Sequence, residues 1–362
     1  IMNKSFLILT GGTGGHVIPA INFGNFLIEN NIICKIVTDK RGLKYTAGFK
    51  GEVFNVKSSH LSGNIFFKFF AIIKLLFGFF QSFILILKLK PKNIISFGSY
   101  ASLPGCLSLI ILSKFFKINF YIHEQNSIIG KSNRMFIKYT NKFFVNFDKN
   151  YKIQKNYQKK IYVVGLPRNK IKIEQKKQIK IFKESSFQIF IYGGSQGSLP
   201  VLKIFELILE NIHFNYLNKM HFIIQCPNFY KKIIVKKLNN LNCSYFIDEF
   251  YFNIEELLQK VDTVISRAGA GTINDIIIHK IPSVLIPLSL SKDNHQYENA
   301  QILTKNKSAI IIDEKNHNIK QIIDFIEQLI IDKSYKQKII DSFDNIIIRD
   351  ANKLMLKELL ND

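Results

Sequence analysis

The chain has 362 residues, which is long enough for two domains that each bury a core. Its hydrophobic fraction of 47% and charged fraction of 21% are typical of globular proteins and exclude a disordered or collagen-like chain. The formal net charge of +23 favours an anionic partner, but charge alone does not choose between nucleic acid, an acidic membrane surface and a bias towards lysine throughout the chain.

The chain opens with a short apolar run at 6–9, a helix pattern at 19–29 and a second apolar run at 32–38. Short β-branched or aromatic runs that alternate with helix patterns predict a parallel sheet covered by helices. The first run is too short for the hydrophobic region of a signal peptide, so we expect a cytoplasmic chain.

The segment Ile65–Leu89 interrupts this alternation, because it is almost wholly apolar apart from Lys68, Lys74 and Lys88. Its uncharged part, 75–87, is shorter than the about 20 residues that a transmembrane helix needs. One alternative is a buried crossover helix in a phenylalanine-rich protein. The other, which we favour, is a helix with one face on the core and one face in the lipid interface, where its lysines meet anionic head groups.

A second series of strand and helix patterns follows the lysine-rich stretch 169–185 and starts with "QIFIYGGSQG". Glycine, proline and the run of charges place a domain boundary near 165–186. The sequence therefore predicts an α/β protein with two Rossmann-like, doubly wound parallel-sheet domains, at 1–165 and 166–345.

Polar, glycine-bearing segments follow the predicted strands in both domains. They read "TGGTGGH", "FGSYAS", "HEQNS", "GGSQGS", "RAGAGT" and "SLSKDNHQ". Ligands bind at the carboxyl edge of open parallel sheets, so two such edges that face one another would form a ligand cleft between the domains.

The first loop, "TGGTGGH", does not match either common phosphate-binding motif. A dinucleotide fingerprint would need glycine at Val17, and no Gly-Lys-Ser/Thr follows for a P-loop. A glycine loop exposes backbone N–H groups ahead of a helix that starts at about Pro19, and this favours binding of an anion or a polar ring. The alternative is a tight turn, which also requires glycine. His16 lies near the place where a general base for a sugar hydroxyl would stand, although a lone histidine is usually structural.

The segment "HEQN" brings two more titratable groups, His123 and Glu124, to another strand end of the same sheet. The alternative interpretation is that Glu124 and Asn126 cap the loop.

Three features of the second half suit a nucleotide sugar. Ser195 in "GGSQG" and nearby N–H groups suit a phosphate, Asp275 could accept both ribose hydroxyls, and Gln296 could bond sugar hydroxyls. The chain has no DxD sequence, which argues against a metal-anchored diphosphate and leaves that charge to N–H groups and helix ends.

Cysteines and nucleic-acid motifs give no further site. No CxxC pair, zinc-finger spacing, RNP-type signature or clear helix-turn-helix is recognisable, so we expect no nucleic-acid partner, metal site or cofactor. The four cysteines lie in or beside apolar runs and are expected to be reduced, as Cys34, Cys106, Cys226 and Cys243.

These motifs together resemble the MurG family, the peptidoglycan N-acetylglucosaminyltransferases of the GT-B fold that convert lipid I to lipid II. The resemblance covers essentially the whole chain. In order, the motifs are "GGTGGHVIPA", "FGSYASLPG", "HEQNSIIGKSN", "VVGLP", "GGSQGS", "DEF", "SRAGAGTIND" and "KDNHQYENA".

The resemblance implies a role for each matching position. The acceptor side would hold the catalytic candidates His16 and Glu124, with His123 beside them, and the segment at 65–89 would be a membrane patch. A C-terminal helix in 346–362 would return to the first domain. The remaining residues would line the sugar, diphosphate, uracil and ribose regions, as Thr13, Gly14, Gly15, Asn126, Arg168, Ser195, Tyr251, Ala270, Gly271, Thr272, Ile273, Asn274, Asp275 and Gln296.

Two departures from the family pattern concern the donor. The junction reads "GLPRN", which displaces the family's arginine by one position to Arg168, and the ribose carboxylate is Asp275 where glutamate is common. Gly271 also stands where the family often has a bulkier residue.

The predicted reaction is an inverting transfer of GlcNAc from UDP-GlcNAc to the 4-hydroxyl of MurNAc in undecaprenyl-pyrophosphoryl-MurNAc-pentapeptide. His16 is the preferred base and Glu124 the second candidate, and the enzyme is expected on the cytoplasmic face of the membrane as a peripheral protein. Three alternatives remain. They are another GT-B UDP-sugar transferase with a lipid acceptor, a nicotinamide-dependent oxidoreductase that uses Asp39, and a non-catalytic membrane or nucleic-acid binder.

Overall fold

The computed structural model describes residues 5–59, 64–169, 183, 186–194, 197–251, 254–289 and 294–361. The chain divides into two compact units, which we call unit 1 (1–170 and 349–362) and unit 2 (171–348). Each unit contains one parallel sheet with helices, so the predicted fold class is confirmed. The lysine-rich stretch 169–185 lies almost wholly outside the described residues.

The described residues of unit 1 form seven strands. They are β1 (Ser5–Leu9), β2 (Ile33–Thr38), β3 (Glu52–Asn55), β4 (Asn93–Ser96), β5 (Asn119–Glu124), β6 (Lys142–Val145) and β7 (Ile161–Val163). Its helices are α1 (Gly14–Glu29), α2 (Ile65–Leu89), α3 (Leu103–Leu112), α4 (Lys131–Phe136), α5 (Lys155–Gln158) and, from the end of the chain, α14 (Ala351–Leu360).

The sheet of unit 1 has the order β3-β2-β1-β4-β5-β6-β7, with every pair parallel. Because β1 lies in the middle, the chain first winds towards β3 and then crosses to β4. This reversal of winding next to β1 is the switch point at which doubly wound sheets bind ligands.

Side chains of β1 alternate between the two faces of this sheet. Phe6 and Ile8 pack in one core, with α1 and α14, whereas Leu7 and Leu9 pack in the other, with α2 and α3. A strand buried on both faces reads as a continuous apolar run, and this explains the run at 6–9.

Helix α2 connects β3 to β4, and only a narrow face of it is buried against the rest of unit 1. The buried residues of this face are Ala71, Gly78, Ser82 and Ile86. A side chain at Gly78 would lie 1.8 Å from the backbone oxygen of Lys57, so the close approach requires glycine. Helix α2 is also long and apolar enough to cross a membrane, and 22% of its most apolar window is buried.

In the part of unit 2 that the structure describes, six strands form a sheet in the order β10-β9-β8-β11-β12-β13, again all parallel. They are β8 (Phe187–Tyr192), β9 (Met220–Gln225), β10 (Ser244–Asp248), β11 (Thr263–Ser266), β12 (Ser283–Leu285) and β13 (Ala309–Ile311). The helices are α6 (Leu199–Asn211), α7 (Phe214–Leu217), α8 (Asn228–Asn240), α9 (Ile254–Leu258), α10 (Ala270–His279), α11 (His295–Lys305), α12 (Ile319–Ile331) and α13 (Lys333–Ser342).

Two element boundaries differ from the sequence prediction. Helix α1 begins at Gly14 and not near Pro19, so two loop glycines and His16 form its first turn. Strand β5 continues to Glu124, so His123 and Glu124 are strand residues paired with Phe144 and Val145 of β6.

The last helix, α14, packs on unit 1. Met355 and Leu359 are buried in the same core as α1, and the Lys142 ammonium group of β6 is 3.2 Å from the Glu358 carboxylate. Asn352 donates a hydrogen bond to the backbone oxygen of Arg168 at 2.6 Å. The end of the chain therefore lies against the segment that leaves unit 1.

Candidate active site

The glycine loop after β1 is held by the carboxylate of Asp39, which follows β2. One carboxylate oxygen accepts from the backbone N–H groups of Gly12 at 2.8 Å and Gly42 at 3.0 Å, and the other is 2.7 Å from Arg41 Nε. Gly12 has φ +80°, a conformation that favours glycine. Asp39 is 3% exposed, and both of its oxygens already have partners within the protein, so it is not placed to bind a cofactor as the oxidoreductase alternative requires.

The first turn of α1 presents backbone N–H groups at the carboxyl edge of the sheet. The first N–H groups of a helix have no partner within the helix, and the side chain of Thr13 at the N-cap does not cap them. Thr13 and Gly15 are exposed, whereas Gly14 is buried. This turn combines unused donors with the positive end of a helix dipole, which suits a negatively charged group.

The imidazole of His16 is half-buried and is fixed through one nitrogen. Its Nδ1 lies 3.0 Å from the backbone oxygen of Phe97 and 2.7 Å from Oε1 of Gln125. Both neighbours are oxygen acceptors, so Nδ1 carries the hydrogen and Nε2 keeps its lone pair in the neutral ring. A neutral imidazole with a free Nε2 lone pair can accept a proton from a hydroxyl group.

His123 lies behind this pair and is fully buried. Its Nε2 is 2.9 Å from the backbone oxygen of Gly165, its Nδ1 is 3.2 Å from Nε2 of Gln125, and its ring stacks on Phe97. Burial lowers the pKa of His123 to about 4, and the hydrogen bond to Gly165 opposes that shift only in part. His123 is therefore neutral at pH 7, and both of its nitrogens contact protein groups.

The carboxylate of Glu124 holds the loop that follows β5. It is 1% exposed and accepts four hydrogen bonds, from the backbone and side chain of Asn126 at 3.1 and 3.2 Å and from Gly130 and Asn133, both at 2.9 Å. An oxygen that is occupied by such donors is poorly placed to take a substrate proton. The geometry matches the loop-capping alternative and favours His16 as the base.

In unit 2 the guanidinium group of Arg267 joins the loops after three strands. It donates to Ser198 at 2.9 Å, to the backbone oxygens of Ile286 at 3.0 Å and Pro287 at 3.3 Å, and to Glu314 at 2.9 Å. Burial alone would raise the pKa of Glu314, but the hydrogen bond and charge of Arg267 lower it below its ordinary value. Arg267 thus fixes the carboxyl edge of this sheet.

Helix α10 begins beside Arg267 with the predicted nucleotide-binding stretch. Gly269 is its N-cap and offers no side-chain cap, so its first N–H groups are available as in α1. Asp275 is half-buried one turn later, whereas Ile273 is fully buried and its N–H donates to the backbone oxygen of Gly269 at 2.9 Å. A side chain at Gly271 would meet no atom within 4 Å, so open space surrounds this position.

The other predicted residues lie in both units. Gln296 in α11 accepts from the backbone N–H of Leu288 at 3.0 Å, and Tyr251 is buried with its hydroxyl 3.1 Å from the backbone oxygen of Ile224. Arg168 is half-buried at the end of unit 1. Ser195 lies outside the described residues.

The structure thus brings the predicted residues together in two groups. In unit 1 the carboxyl edge of the sheet holds Thr13, Gly14, Gly15, His16, His123, Glu124 and Asn126. In unit 2 the helices that follow β11 and β12, α10 and α11, hold Ala270, Gly271, Thr272, Ile273, Asn274, Asp275 and Gln296.

Three residues that shape these edges were not predicted as site residues. Gln125 stands inside the motif "HEQN", Arg267 stands at the head of "RAGAGT", and Asp39 was considered only as a ribose ligand. A polar residue directly after an apolar strand is the available signal, but it does not say which partner the side chain contacts. Among the described residues, no group of three or more His, Cys, Asp or Glu side chains could hold a metal ion.

Comparison with known families matches both units to glycosyltransferase family 28. Residues 6–145 match its N-terminal domain and residues 188–351 match its C-terminal domain.

Curated relatives match along almost the whole chain. A protein of Rickettsia bellii is 32% identical over 90% of this chain and 91% of its own length, and one of Rickettsia canadensis is 31% identical over 98% and 95%. Both are named UDP-N-acetylglucosamine--N-acetylmuramyl-(pentapeptide) pyrophosphoryl-undecaprenol N-acetylglucosamine transferase.

Solved structures share the fold at lower identity. The crystal structure of Acinetobacter baumannii MurG has a TM-score of 0.77 and 18% identity, and it covers 99% of this chain and 100% of that one. A UDP-GlcNAc 2-epimerase from Neisseria meningitidis, bound to UDP-GlcNAc, has a TM-score of 0.66 and 12% identity over 99% and 100%. The fold therefore occurs in both transferases and epimerases of nucleotide sugars.

Proposed function

The chain belongs to the MurG family within glycosyltransferase family 28, and on that premise we propose that it converts lipid I to lipid II. In this reaction GlcNAc moves from UDP-GlcNAc to the 4-hydroxyl of MurNAc in undecaprenyl-pyrophosphoryl-MurNAc-pentapeptide. The observation that carries the proposal is the state of His16, whose Nδ1 is held by two oxygens while Nε2 keeps its lone pair.

The proposed step needs one base and one group of donors. Nε2 of His16 takes the proton of the acceptor hydroxyl, the hydroxyl oxygen bonds to the anomeric carbon, and the bond from that carbon to the UDP oxygen breaks. Attack opposite the leaving group inverts the configuration at that carbon. Backbone N–H groups at the start of α10 stabilise the negative charge on the departing UDP, with Asp275 on its ribose and Gln296 on the sugar.

The reaction can be tested by transfer of labelled GlcNAc from UDP-GlcNAc to a lipid I analogue, with UDP-glucose and UDP-GalNAc as alternative donors. We expect labelled lipid from UDP-GlcNAc alone. The variant His16→Ala should lose about 100-fold or more in kcat, because general-base catalysis contributes about 10²- to 10⁴-fold.

Glu124→Gln is the matched control for the second candidate base. It removes the negative charge and replaces one of the two acceptor oxygens by an NH₂ group, so two of the four loop hydrogen bonds are lost and the change should cost stability of the loop more than turnover. A folded His16→Ala enzyme with near-normal turnover would overturn the assignment of the base. Equal use of another UDP-sugar or another lipid would favour a different GT-B transferase.

The exposed side of α2 supports a membrane surface as a partner. Apolar side chains on this outer face are mostly more than half exposed, and Lys68, Lys74 and Lys88 accompany them. The outer face comprises Ile65, Phe66, Phe67, Phe69, Phe70, Phe77, Phe80 and Ile84. Exposed apolar patches of this kind with basic residues insert into the headgroup region of anionic lipid.

The position of α2 favours surface binding over spanning. The helix joins β3 to β4 of one sheet, buries Ala71, Gly78 and Ser82, packs along α3 and contributes Ile86 to the core of unit 1. It therefore cannot leave unit 1 without disrupting that core. A peripheral enzyme on the cytoplasmic face of the membrane follows from this proposal, because anionic lipid and the lipid acceptor are both present there.

Vesicle binding tests this part of the proposal. The double variant Phe66→Ser/Phe70→Ser should bind vesicles of anionic phospholipid at least about tenfold more weakly, because each buried phenylalanine contributes about 1.5–3 kcal/mol. The control is Phe229→Ser in unit 2, which removes an equally exposed phenylalanine (73%) from another surface. Equal binding by both variants would contradict a role for α2, and vesicle binding without any transfer would favour a non-catalytic membrane binder.

A further inference from the structure

A chain of hydrogen bonds runs from His16 into the interior of unit 1. It passes from His16 to Gln125 at 2.7 Å, from Gln125 to His123 at 3.2 Å and from His123 to the backbone of Gly165 at 2.9 Å. Gln125 and His123 are 1% and 0% exposed, so water does not compete for these groups. His16 is half-buried, whereas Gln125, His123 and Gly165 are buried, so the chain becomes accessible at its His16 end.

The direction of every bond in this chain is fixed by its two ends. Backbone oxygens only accept, so His123 donates from Nε2 to Gly165 and His16 donates from Nδ1 to Phe97. In a neutral ring the Nδ1 of His123 must then accept, which turns the amide nitrogen of Gln125 towards it. The same amide nitrogen also donates to the backbone oxygen of His123 at 3.0 Å. The amide oxygen of Gln125 therefore faces His16.

We propose that Gln125 is a positioning residue for His16, and that His123 orients Gln125 from behind. The chain holds His16 as the Nδ1–H tautomer and leaves Nε2 for the acceptor hydroxyl. A flipped amide would present its NH₂ group to Nδ1, favour the other tautomer and remove the base. The catalytic meaning of this inference rests on the proposed transfer reaction, whereas the tautomer and its cause do not.

Both partners of Nδ1 are uncharged. Gln125 and Phe97 orient the ring with an amide oxygen and a backbone oxygen. The backbone of Gln125 is held in turn by Asn146, which donates to its backbone oxygen at 2.8 Å.

The tautomer can be measured without any activity. Long-range ¹H–¹⁵N NMR spectra of ¹⁵N-histidine-labelled protein report which ring nitrogen carries the hydrogen, and the variant His16→Gln assigns the signal. We expect the Nδ1–H form for neutral His16 in the full chain. A dominant Nε2–H form would overturn the inference, even if the enzyme transfers GlcNAc normally.

Two substitutions at Gln125 test the link to turnover. Gln125→Leu removes the oxygen acceptor and should lower kcat about 10- to 100-fold with little change in KM for UDP-GlcNAc, as expected for a misplaced base. Gln125→Glu places a negative charge next to Nδ1 of His16, so the acidic limb of the kcat/KM profile should move to higher pH by about one unit or more.

The control is Asn146→Ala, which loosens the backbone of the same loop but leaves the hydrogen bonds between the side chains of His16, Gln125 and His123 intact. It should lower stability without moving the acidic limb. If Gln125→Glu leaves that limb where it is in the wild type, or if Asn146→Ala moves it equally, Gln125 has only a structural role. If the wild type transfers no GlcNAc at all, the proposed reaction fails, and the NMR result alone decides the tautomer.

Discussion

Acid should destabilise unit 1 through His123, because this histidine is buried in its neutral form. Its pKa falls from 6.5 to about 4 through burial, so the unfolded chain binds a proton between these pH values and the folded chain does not. Stability is therefore greatest above pH 6.5 and is lost as the pH falls towards 4. The full shift corresponds to roughly 3 kcal/mol, and most of this is lost between pH 7.5 and pH 4.5.

The comparison protein is His123→Gln, which cannot titrate at this position but keeps an amide that can donate to Gly165. Other groups titrate in both proteins, so each protein is measured at both pH values and the two losses of stability are subtracted. We expect the loss in the wild type to exceed the loss in His123→Gln by about 2 kcal/mol or more.

Labelling of Cys34 and Cys106 at increasing urea concentration measures the unfolding of unit 1 separately from that of unit 2. The chain has no tryptophan, but Cys34 and Cys106 are buried in unit 1, and burial raises the pKa of Cys106 to about 12. Both thiols therefore react with a disulfide reagent active at acid pH only after unfolding. Equal loss of stability in wild type and His123→Gln would refute the claim that His123 is neutral and unable to take a proton in the folded state.

Three further substitutions test, through the stability of each unit, which positions require their glycine or arginine and which tolerate another side chain. Gly78→Ala should destabilise unit 1 by about 2 kcal/mol or more, since its Cβ would collide with the backbone of Lys57, and the urea midpoint measures this. Gly271→Ala should stabilise unit 2 by about 0.5–1 kcal/mol, because α10 has room for the methyl group there, and a lower midpoint would contradict that reasoning. Arg267→Met removes the ion-pair partner of the half-buried Glu314, which keeps the Ser289 N–H, and takes a donor from the backbone oxygens of Ile286 and Pro287. It should cost unit 2 about 2–3 kcal/mol, and a loss below about 1 kcal/mol in the same assay would show that the pair is dispensable.

Much of the architecture could be predicted because it depends on local patterns. Apolar runs such as 6–9 are buried on both faces of a parallel sheet, and the polar loops follow them at the carboxyl edge. The start of α1 could not be predicted in this way. Glycine disfavours a helix interior and proline favours its first turn, so both pointed to Pro19, whereas contacts of Asp39 and His16 with distant residues hold Gly14 and Gly15 in the helix.

The interior of the candidate site was the least predictable part. His123 and Glu124 were expected in a loop because charged or polar residues rarely lie in a buried strand. In the structure His123 is paired with Gly165, which is distant in sequence, and Glu124 is paired with donors of the segment that follows it, such as Asn133. A single sequence does not show which distant residues meet, so the role of Gln125 became visible only with its contacts.

Analysis of the product from UDP-GlcNAc and a lipid I analogue tests the central claim most directly. Mass spectrometry and linkage analysis of the lipid should show one added GlcNAc, joined in the β configuration to the 4-hydroxyl of MurNAc, with release of UDP. Consumption of UDP-GlcNAc to its 2-epimer with an unchanged lipid would contradict the account, since epimerases share this fold.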